Sequence, residues 1–430
     1  MKRTASLAAV LVCVFAALLP VGWPALPWSM QPGDLLFPIV VLAFLAYRPA
    51  IPRHMLDVFV VVYLAGSALS VPTSIAPRES ALGLVKELYL AGVYLVLKAM
   101  APGTGALRLC RWLCGAAGVV AVASLAGAAV FYASGHVWSV VGSPMPLPYI
   151  GQVFRTNGTL QSPEFFGNLL TFVIPLAAML AGAERGGGWL AVLGVLTVAE
   201  VLTFSKSLGG TAVALTVFFW PRWRSKPLLR AAAAALAVAL AVAFNAAAIV
   251  TVRRVDVQFS KDSRIPPPDS LYGRQDDPAG ADRVDLGVSY NPMSYYLVKK
   301  VAWRAFLDRP WTGIGLGTFP IEAERAYQDG RLHQAYRRVQ AHSLPFGRLS
   351  ETGLAGAVTL GALLVVLWRS MLHTARLPGV DGQVGWALFA GVAGLLVNSI
   401  NVDAMHFRFL WFAVGLTAGI GAASQVRGSR

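Results

Sequence analysis

The chemistry-bearing residue that stands out is His342, in the stretch Ala341-His342-Ser343-Leu344-Pro345-Phe346-Gly347-Arg348. It follows a polar region of roughly ninety residues and directly precedes an apolar run ending near Trp368, which puts it where water meets a bilayer. An imidazole changes charge near pH 7, so at such a mouth it can take a proton from a hydroxyl. Position alone does not separate that role from the commoner one of a snorkelling or structural histidine.

Three basic residues are hard to explain as topology, although for any one of them a solvated or snorkelling side chain is the commoner reading. Lys206 occupies Phe204-Ser205-Lys206-Ser207, a connection so short that it must sit at the mouth of a helix bundle. Arg155 occurs in an otherwise largely apolar loop, and Lys86 lies about two turns inside the fourth apolar run. Pairing with Glu79 or Glu87 is the structural alternative for Lys86. Cations that converge from separate loops on one cavity suit a phosphorylated lipid. A pyrophosphate leaving group gathers negative charge as its bond to a sugar breaks, and losing one preorganised donor costs on the order of 10²–10³ in rate.

These residues need a membrane scaffold to bring them together. The 430-residue chain is 56% hydrophobic and 13% charged, about half the charge of a soluble domain, which makes it a polytopic membrane protein. A net charge of +15 would point to nucleic acid in a soluble protein. Here the positive-inside rule explains part of it and an anionic substrate the rest, so nucleic acid is not an expected partner. Cys13, Cys110 and Cys114 all fall in apolar segments, and two thiols at i, i+4 without histidine are packing residues rather than a metal site.

The expected fold class is an all-α polytopic membrane protein with about twelve transmembrane helices and one large periplasmic loop. Runs at 4–23, 34–48, 55–71, 80–99, 112–134, 164–182, 188–204, 207–221 and 228–250 place nine helices in residues 1–250. Residues 251–341 form the loop domain, and runs at 343–368, 383–400 and 407–425 place three more helices in 342–430. The first run reads as a signal anchor. Cations gather on one side, among them Arg48, Arg53, Arg222, Arg224, Lys226 and Arg376, against Arg78, Arg155, Lys206 and Arg408 in the short loops opposite. Both termini are therefore expected to be cytoplasmic.

Within the loop, Pro266-Pro267-Pro268 and Asp276-Asp277-Pro278 read as irregular chain. From Met293 to Leu307, Val298, Val301, Ala302, Ala305 and Phe306 recur at helical spacing, with Lys300 and Arg304 on another face, as in an amphipathic helix on the membrane surface. Further helices are expected at 321–328 and 331–340. Gly313-x-Gly315-x-Gly317 follows Asp308-Arg309-Pro310-Trp311 without a preceding strand, so it reads as a tight turn rather than a nucleotide loop. No strand pattern stands out.

Four separated segments resemble the O-antigen ligase and polymerase superfamily of membrane glycosyltransferases. His342-Ser343 followed by Glu351-x-Gly353-x-x-Gly356 is similar to the family signature, with Ser343 where Asn is usual. Arg155-x-x-Gly158-x-x-x-x-Pro163-Glu164-x-x-Gly167 resembles its Arg-Gly-Pro-Asn-Gly segment, with Glu164 in place of Asn. Ser205-Lys206-Ser207 falls where Ser-Arg-Gly is common. Lys299-x-x-x-Trp303 and the Pro310-x-x-Gly313-x-Gly315 turn resemble an Arg-x-x-x-Trp segment and the turn after it. Lysine for arginine keeps the charge and loses the bidentate fork.

The resemblance implies an extracytoplasmic enzyme of the bacterial inner membrane. It would move a glycan from undecaprenyl pyrophosphate to a sugar hydroxyl of lipid A-core, with neither metal nor cofactor. It makes His342 the general base or acceptor-site residue, with Lys206 and Lys299 on the pyrophosphate, Arg155 behind them, and Glu351, Gly353 and Trp303 in support. Helix geometry adds Arg304 and membrane depth adds Lys86. Inversion is expected, because no candidate carboxylate nucleophile is placed beside His342. An O-antigen polymerase or a protein O-oligosaccharyltransferase shares these motifs, although a chain ending soon after its last helix favours lipid A-core. A lipid-linked glycan transporter is the alternative of another class, and a membrane scaffold with dispensable polar residues a third.

Overall fold

The computed structural model describes residues 2–22, 30–147, 151–184, 187–246, 294–332 and 336–428. The proline-rich stretch and Asp276-Asp277 lie outside the described residues, as does about half of the 251–341 loop domain as drawn from sequence.

Helices α1 (Lys2–Leu18), α2 (Pro32–Tyr47), α3 (Met55–Ala68), α4 (Pro77–Thr104) and α5 (Ala106–Ser134) precede a hairpin of β1 (Gly142–Leu147) and β2 (Gly151–Thr156). Then come α6 (Pro163–Ala183), α7 (Gly188–Val201), α8 (Ser207–Phe219) and α9 (Pro227–Ala246). Two loop helices follow, α10 (Ser294–Asp308) and α11 (Phe319–Gln328), and the chain closes with α12 (Leu344–Ala375), α13 (Gly379–Asn398) and α14 (Arg408–Gly428). Among the described residues seven helices are long and apolar enough to cross a membrane, and five shorter apolar ones accompany them. The chain is a mostly helical polytopic membrane protein.

Local sequence starts the helices that matter. Ser162 accepts from the Phe165 amide at 3.2 Å and Pro163 opens the first turn of α6. α6 is then buried at every position from Phe166 to Leu180, so it forms the centre of the bundle with α8 and α13 packed on it. Opposed helices α4 and α14, and α3 and α12, complete the wall, while α9 packs on α8 and leaves most of its surface to lipid.

The antiparallel hairpin is a departure from the helical expectation. Pro144 and Pro146 in β1 hide it from a sequence scan, since they break alternation and donate no ladder hydrogen bond. Its function is local: the Thr156 amide donates to the Leu202 carbonyl at 3.0 Å and Thr156 Oγ1 to the Ala199 carbonyl at 2.9 Å, which pins β2 to the end of α7.

α10 and α11 fall close to their expected limits, but the apolar face of α10 does not lie on the membrane surface. Val298, Val301 and Ala302 are buried with Phe319, Ala323 and Ala326 of α11, because two short amphipathic helices cover each other's apolar faces. The α-helix expected at 331–340 is not formed over its described parts: 331–332 are a bend, and 336–340 run from a 3-10 residue into a turn. Arg337 and Arg338 there both reach Glu324, at 2.8 and 2.9 Å.

The turn after α10 is built into α12. At Gly353 (φ 61°, ψ −159°) α12 breaks, in a region of backbone space open almost only to glycine. In a continuous helix the amides of Leu354 and Ala355 would donate to the carbonyls of Ser350 and Glu351. They donate instead to Pro310 and Trp311, at 2.8 and 3.1 Å, while the Ser350 and Glu351 carbonyls accept from Ile314 and Gly315, each at 2.9 Å. A Cβ on Gly353 would stand 2.5 Å from the Trp311 carbonyl, and one on Gly313 2.4 Å from the Glu351 carbonyl carbon, so backbone meets backbone there. Gly313 serves this contact, while Gly315 lets the same turn approach Ser74 and Ser80 at the start of α4.

Replacing Gly353 by Ala should destabilise the protein by about 1–3 kcal/mol, visible as a lower thermal unfolding midpoint in detergent. An unchanged midpoint would mean that the break tolerates a side chain.

Candidate functional site

The start of α6, the α7–α8 connection, the approach to α12 and the end of α13 meet at one end of the bundle. There a small cleft is lined by Glu164 and Asn168, by Ser205, Lys206 and Ser207, by His342, and by Asn398, Asn401 and Val402. Its free space is about 20 Å³, close to the least that holds one water, so polar groups nearly fill it.

Two of its loops are held in unusual backbone geometry. Phe204 (φ 46°) and His342 (φ 45°) both adopt the left-handed conformation without being glycine. Strain of this kind persists where surrounding contacts over-determine it. For the α7–α8 connection those contacts are visible: Arg155 Nε donates to the Thr203 carbonyl at 2.9 Å and Thr203 Oγ1 to the Glu200 carbonyl at 2.7 Å. For His342 they come from the start of α12, where the Leu344 amide donates to the Ser399 carbonyl at 2.8 Å and ties it to the end of α13.

Lys299 reaches this end from α10. Its side chain is buried, and its Nζ donates to Asn401 Oδ1 at 2.8 Å, next to the cleft wall. Lys299 lies close enough to Lys206 for the two charges to oppose each other, and both act on His342. Burial, reinforced by Lys206, lowers the Lys299 ammonium to about 8. Burial also lowers Lys206, against the pull of Glu164. His342 is lowered in turn, first by burial and then by the two lysines, while Glu164 works in the opposite direction. The outcome is an imidazole that is mostly neutral at neutral pH, with two cations beside it.

Glu164 corrects one expectation: a carboxylate does share the cleft with His342. The first turn of α6 reaches the same end of the bundle as the start of α12, a proximity hidden by their separation along the chain. Its absence can therefore not be an argument for inversion.

Beneath the cleft lies a buried polar floor. Asn398 Nδ2 donates to Asn168 Oδ1 at 3.0 Å, and its Oδ1 accepts from the Gly210 amide at 3.1 Å. Thr171 and Thr211 share a hydrogen bond at 2.7 Å, and Thr211 Oγ1 donates to Glu200 Oε1 at 2.9 Å. Polar side chains at such depth are unusual and mark a site, and Asn398-Ser399-Ile400-Asn401 at the end of an apolar run was the available sequence signal for it.

Other expected residues stand elsewhere. Arg155 is one shell back, bracing the loop that carries Lys206. Arg304 is exposed on the face of α10 turned away from buried Lys299, and Lys86 is exposed beside Leu82 and Val85 on α4, so neither is brought to the cleft. The reason for Lys86 is that its neighbour Glu87 turns inward and pairs with Arg348, which sequence reading passed over. Arg348 is fully buried in α12, with Asp403 at 3.5 Å and the Tyr63 ring at 5.7 Å, and Tyr63 donates to Glu87 at 2.7 Å. Glu351 accepts from the Phe319 amide at 3.2 Å and so caps α11, while Trp303 packs edge-on against Phe346. Both hold the loop helices on α12. Among the described residues no grouping of three or more His, Cys, Asp or Glu could hold a metal ion.

The chain has no match among curated proteins. The family model described as O-antigen ligase matches residues 170–361, a stretch that runs from α6 past the break in α12 and contains Lys206, Lys299, His342 and Glu351. Over that stretch, which is less than half of the chain, these residues are similar to the O-antigen ligase family.

Proposed function

We propose that the chain transfers a glycan from undecaprenyl pyrophosphate to a sugar hydroxyl of lipid A-core, on the periplasmic face of the inner membrane. The family supports a membrane glycosyltransferase of the O-antigen ligase or polymerase type. The observation that carries the finer reading is the meeting of His342, Lys206 and Lys299 at one end of the bundle.

In this reading the diphosphate lies across the mouth of the cleft, since the interior is too small for it. Lys206 and Lys299 face the bridging oxygen that gathers charge as the anomeric C–O bond breaks. Neutral His342 accepts the proton of the acceptor hydroxyl as that oxygen forms the new glycosidic bond, and the diphosphate leaves on its lipid. Glu164 offsets the two lysines and keeps the imidazole basic enough to take the proton. The carboxylate acts through charge, so the transfer is a single inverting displacement. A covalent glycosyl adduct on Glu164, or a retained anomeric configuration, would overturn this step.

With purified protein, lipid-linked glycan and lipid A-core, His342→Ala should lower transfer by about 10²–10⁴-fold, and Lys206→Ala by about 10²–10³-fold. Lys206→Arg should keep most of the activity. Full activity in His342→Ala would remove the base. The mass of the product checks the acceptor: label on a longer lipid-linked glycan or on a protein would contradict lipid A-core.

The lowered Lys299 predicts a pH effect on anion binding. Below about 8 it is an ammonium and above it neutral, so inorganic pyrophosphate should bind more weakly as pH rises through that value. The bound anion favours the charged form and moves the midpoint upward. Calorimetric titrations from neutral to alkaline pH should show this fall in wild type and a flatter profile in Lys299→Arg, which does not titrate there. Constant affinity in wild type would place Lys299 outside the anion site.

A further inference from the structure

The helices that build the His342 cleft at one end enclose a second, larger space at the other. Met179 and Gly182 near the end of α6, Phe218 near the end of α8, and Gly382 and Trp386 near the start of α13 line a groove of about 440 Å³. Asn398 and Trp386 are twelve residues apart on α13, so the two spaces are separated by roughly 18 Å along that helix at 1.5 Å per residue. The His342 reading uses nothing in this second space.

Its chemistry is divided into two parts. One wall is apolar and rigid: the Trp386 indole is fixed by donation from Nε1 to the Phe218 carbonyl at 2.9 Å, and its ring lies 5.4 Å from Phe389. The rim is cationic. Arg222 lines the groove with its guanidinium 4.8 Å from the Phe218 ring, and its Nη2 lies 3.5 Å from where a Cβ on Gly182 would stand. The connection from Pro221 to Arg230 also carries Arg224 and Lys226, exposed, and contains no acid. Arg376 is exposed across the groove on the α12–α13 connection. Among the described residues the lining contains no carboxylate, and the acid next to it on the rim is half-buried Asp381, between the lining residues Gly379 and Gly382 in the first turn of α13, against Arg222, Arg224, Lys226 and Arg376. Glu184, just past α6, is engaged by Arg111 at 2.7 Å and by the Trp189 indole at 2.9 Å.

An apolar wall ending in a cationic rim complements an amphiphile with an anionic head, and basic pockets between transmembrane helices recognise such lipids. We propose that this groove binds an anionic phospholipid, with one acyl chain against Met179, Phe218 and Trp386 and the phosphate on Arg222. A lipid seated there touches α6, α8 and α13 together. It therefore holds the three helices whose other ends carry Glu164, Ser207 and Asn398. The proposal stands whatever group is transferred at His342, because its readout is binding.

The test is native mass spectrometry of the delipidated full chain, titrated with phosphatidylglycerol or phosphatidylcholine. Wild type should bind the first phosphatidylglycerol about fivefold or more tightly than phosphatidylcholine, the selectivity that one surface cation supports. Arg222→Gln should lose that preference and Arg222→Lys should keep it. Each variant is checked by its unfolding midpoint in phosphatidylcholine micelles, so that misfolding is not read as lost binding. Trp386→Leu should weaken both lipids alike. Equal binding of the two lipids by wild type would make the occupant ordinary annular lipid and overturn the proposal. So would a preference that survives in Arg222→Gln. Displacement of phosphatidylglycerol by inorganic phosphate alone would assign the groove to a soluble anion instead.

Discussion

The break in α12 is the constraint on which the site depends. Two backbone hydrogen bonds that a continuous helix would have kept within itself are replaced by four with the Pro310–Gly315 turn. That exchange satisfies the amides of Leu354 and Ala355 and the carbonyls of Ser350 and Glu351, where an unpaired group is costly. It also fixes the position of the loop helices. Lys299 sits on α10, which ends just before the turn, and His342 sits just before α12, so one joint sets both. The Glu351 carboxyl on the Phe319 amide and the Trp303–Phe346 contact close the same joint from either side.

Around that joint the bundle manages charge at depth in two different ways. Arg348, Glu87, Tyr63 and Asp403 form a buried cluster in which cation and anions answer each other, so it ties α3, α4, α12 and the Asp403 loop together. In the cleft the balance is left uneven: two lysines and one histidine face one carboxylate, Glu164. An arrangement that disfavours its own positive charges in the absence of a ligand is one that an anion completes. Burial lowers the pKa of Lys206, Lys299 and His342, and for Lys299 and His342 the neighbouring lysines lower it further, so all three hold a proton less firmly than in water.

The apolar runs made most of the scaffold legible. Long segments such as Ala106–Ser134 and Gly379–Asn398 announce themselves by length alone, and α10 and α11 by helical spacing. Lys206 and His342 were legible because a charge or an imidazole between two apolar runs has few places to go. What escaped was whatever depends on three-dimensional proximity. Glu164 and His342 belong to helices that meet only in the folded bundle. Lys86 and Glu87 are neighbours in sequence, yet the helix turns one out and the other in, so the residue with the functional appearance was the exposed one. The break at Gly353 escaped as well, since a glycine inside an apolar run reads as ordinary helix until the partner turn is in view.

The central claim is that one diphosphate is gripped by Lys206 and Lys299 beside His342. The most direct measurement is a structure determined with undecaprenyl pyrophosphate bound. Diphosphate oxygens within hydrogen-bond distance of both lysine Nζ atoms, at the mouth above His342, are the predicted result. A diphosphate seated on the exposed faces of Lys86 or Arg304, with Lys206 and Lys299 still turned to their protein neighbours, would contradict it.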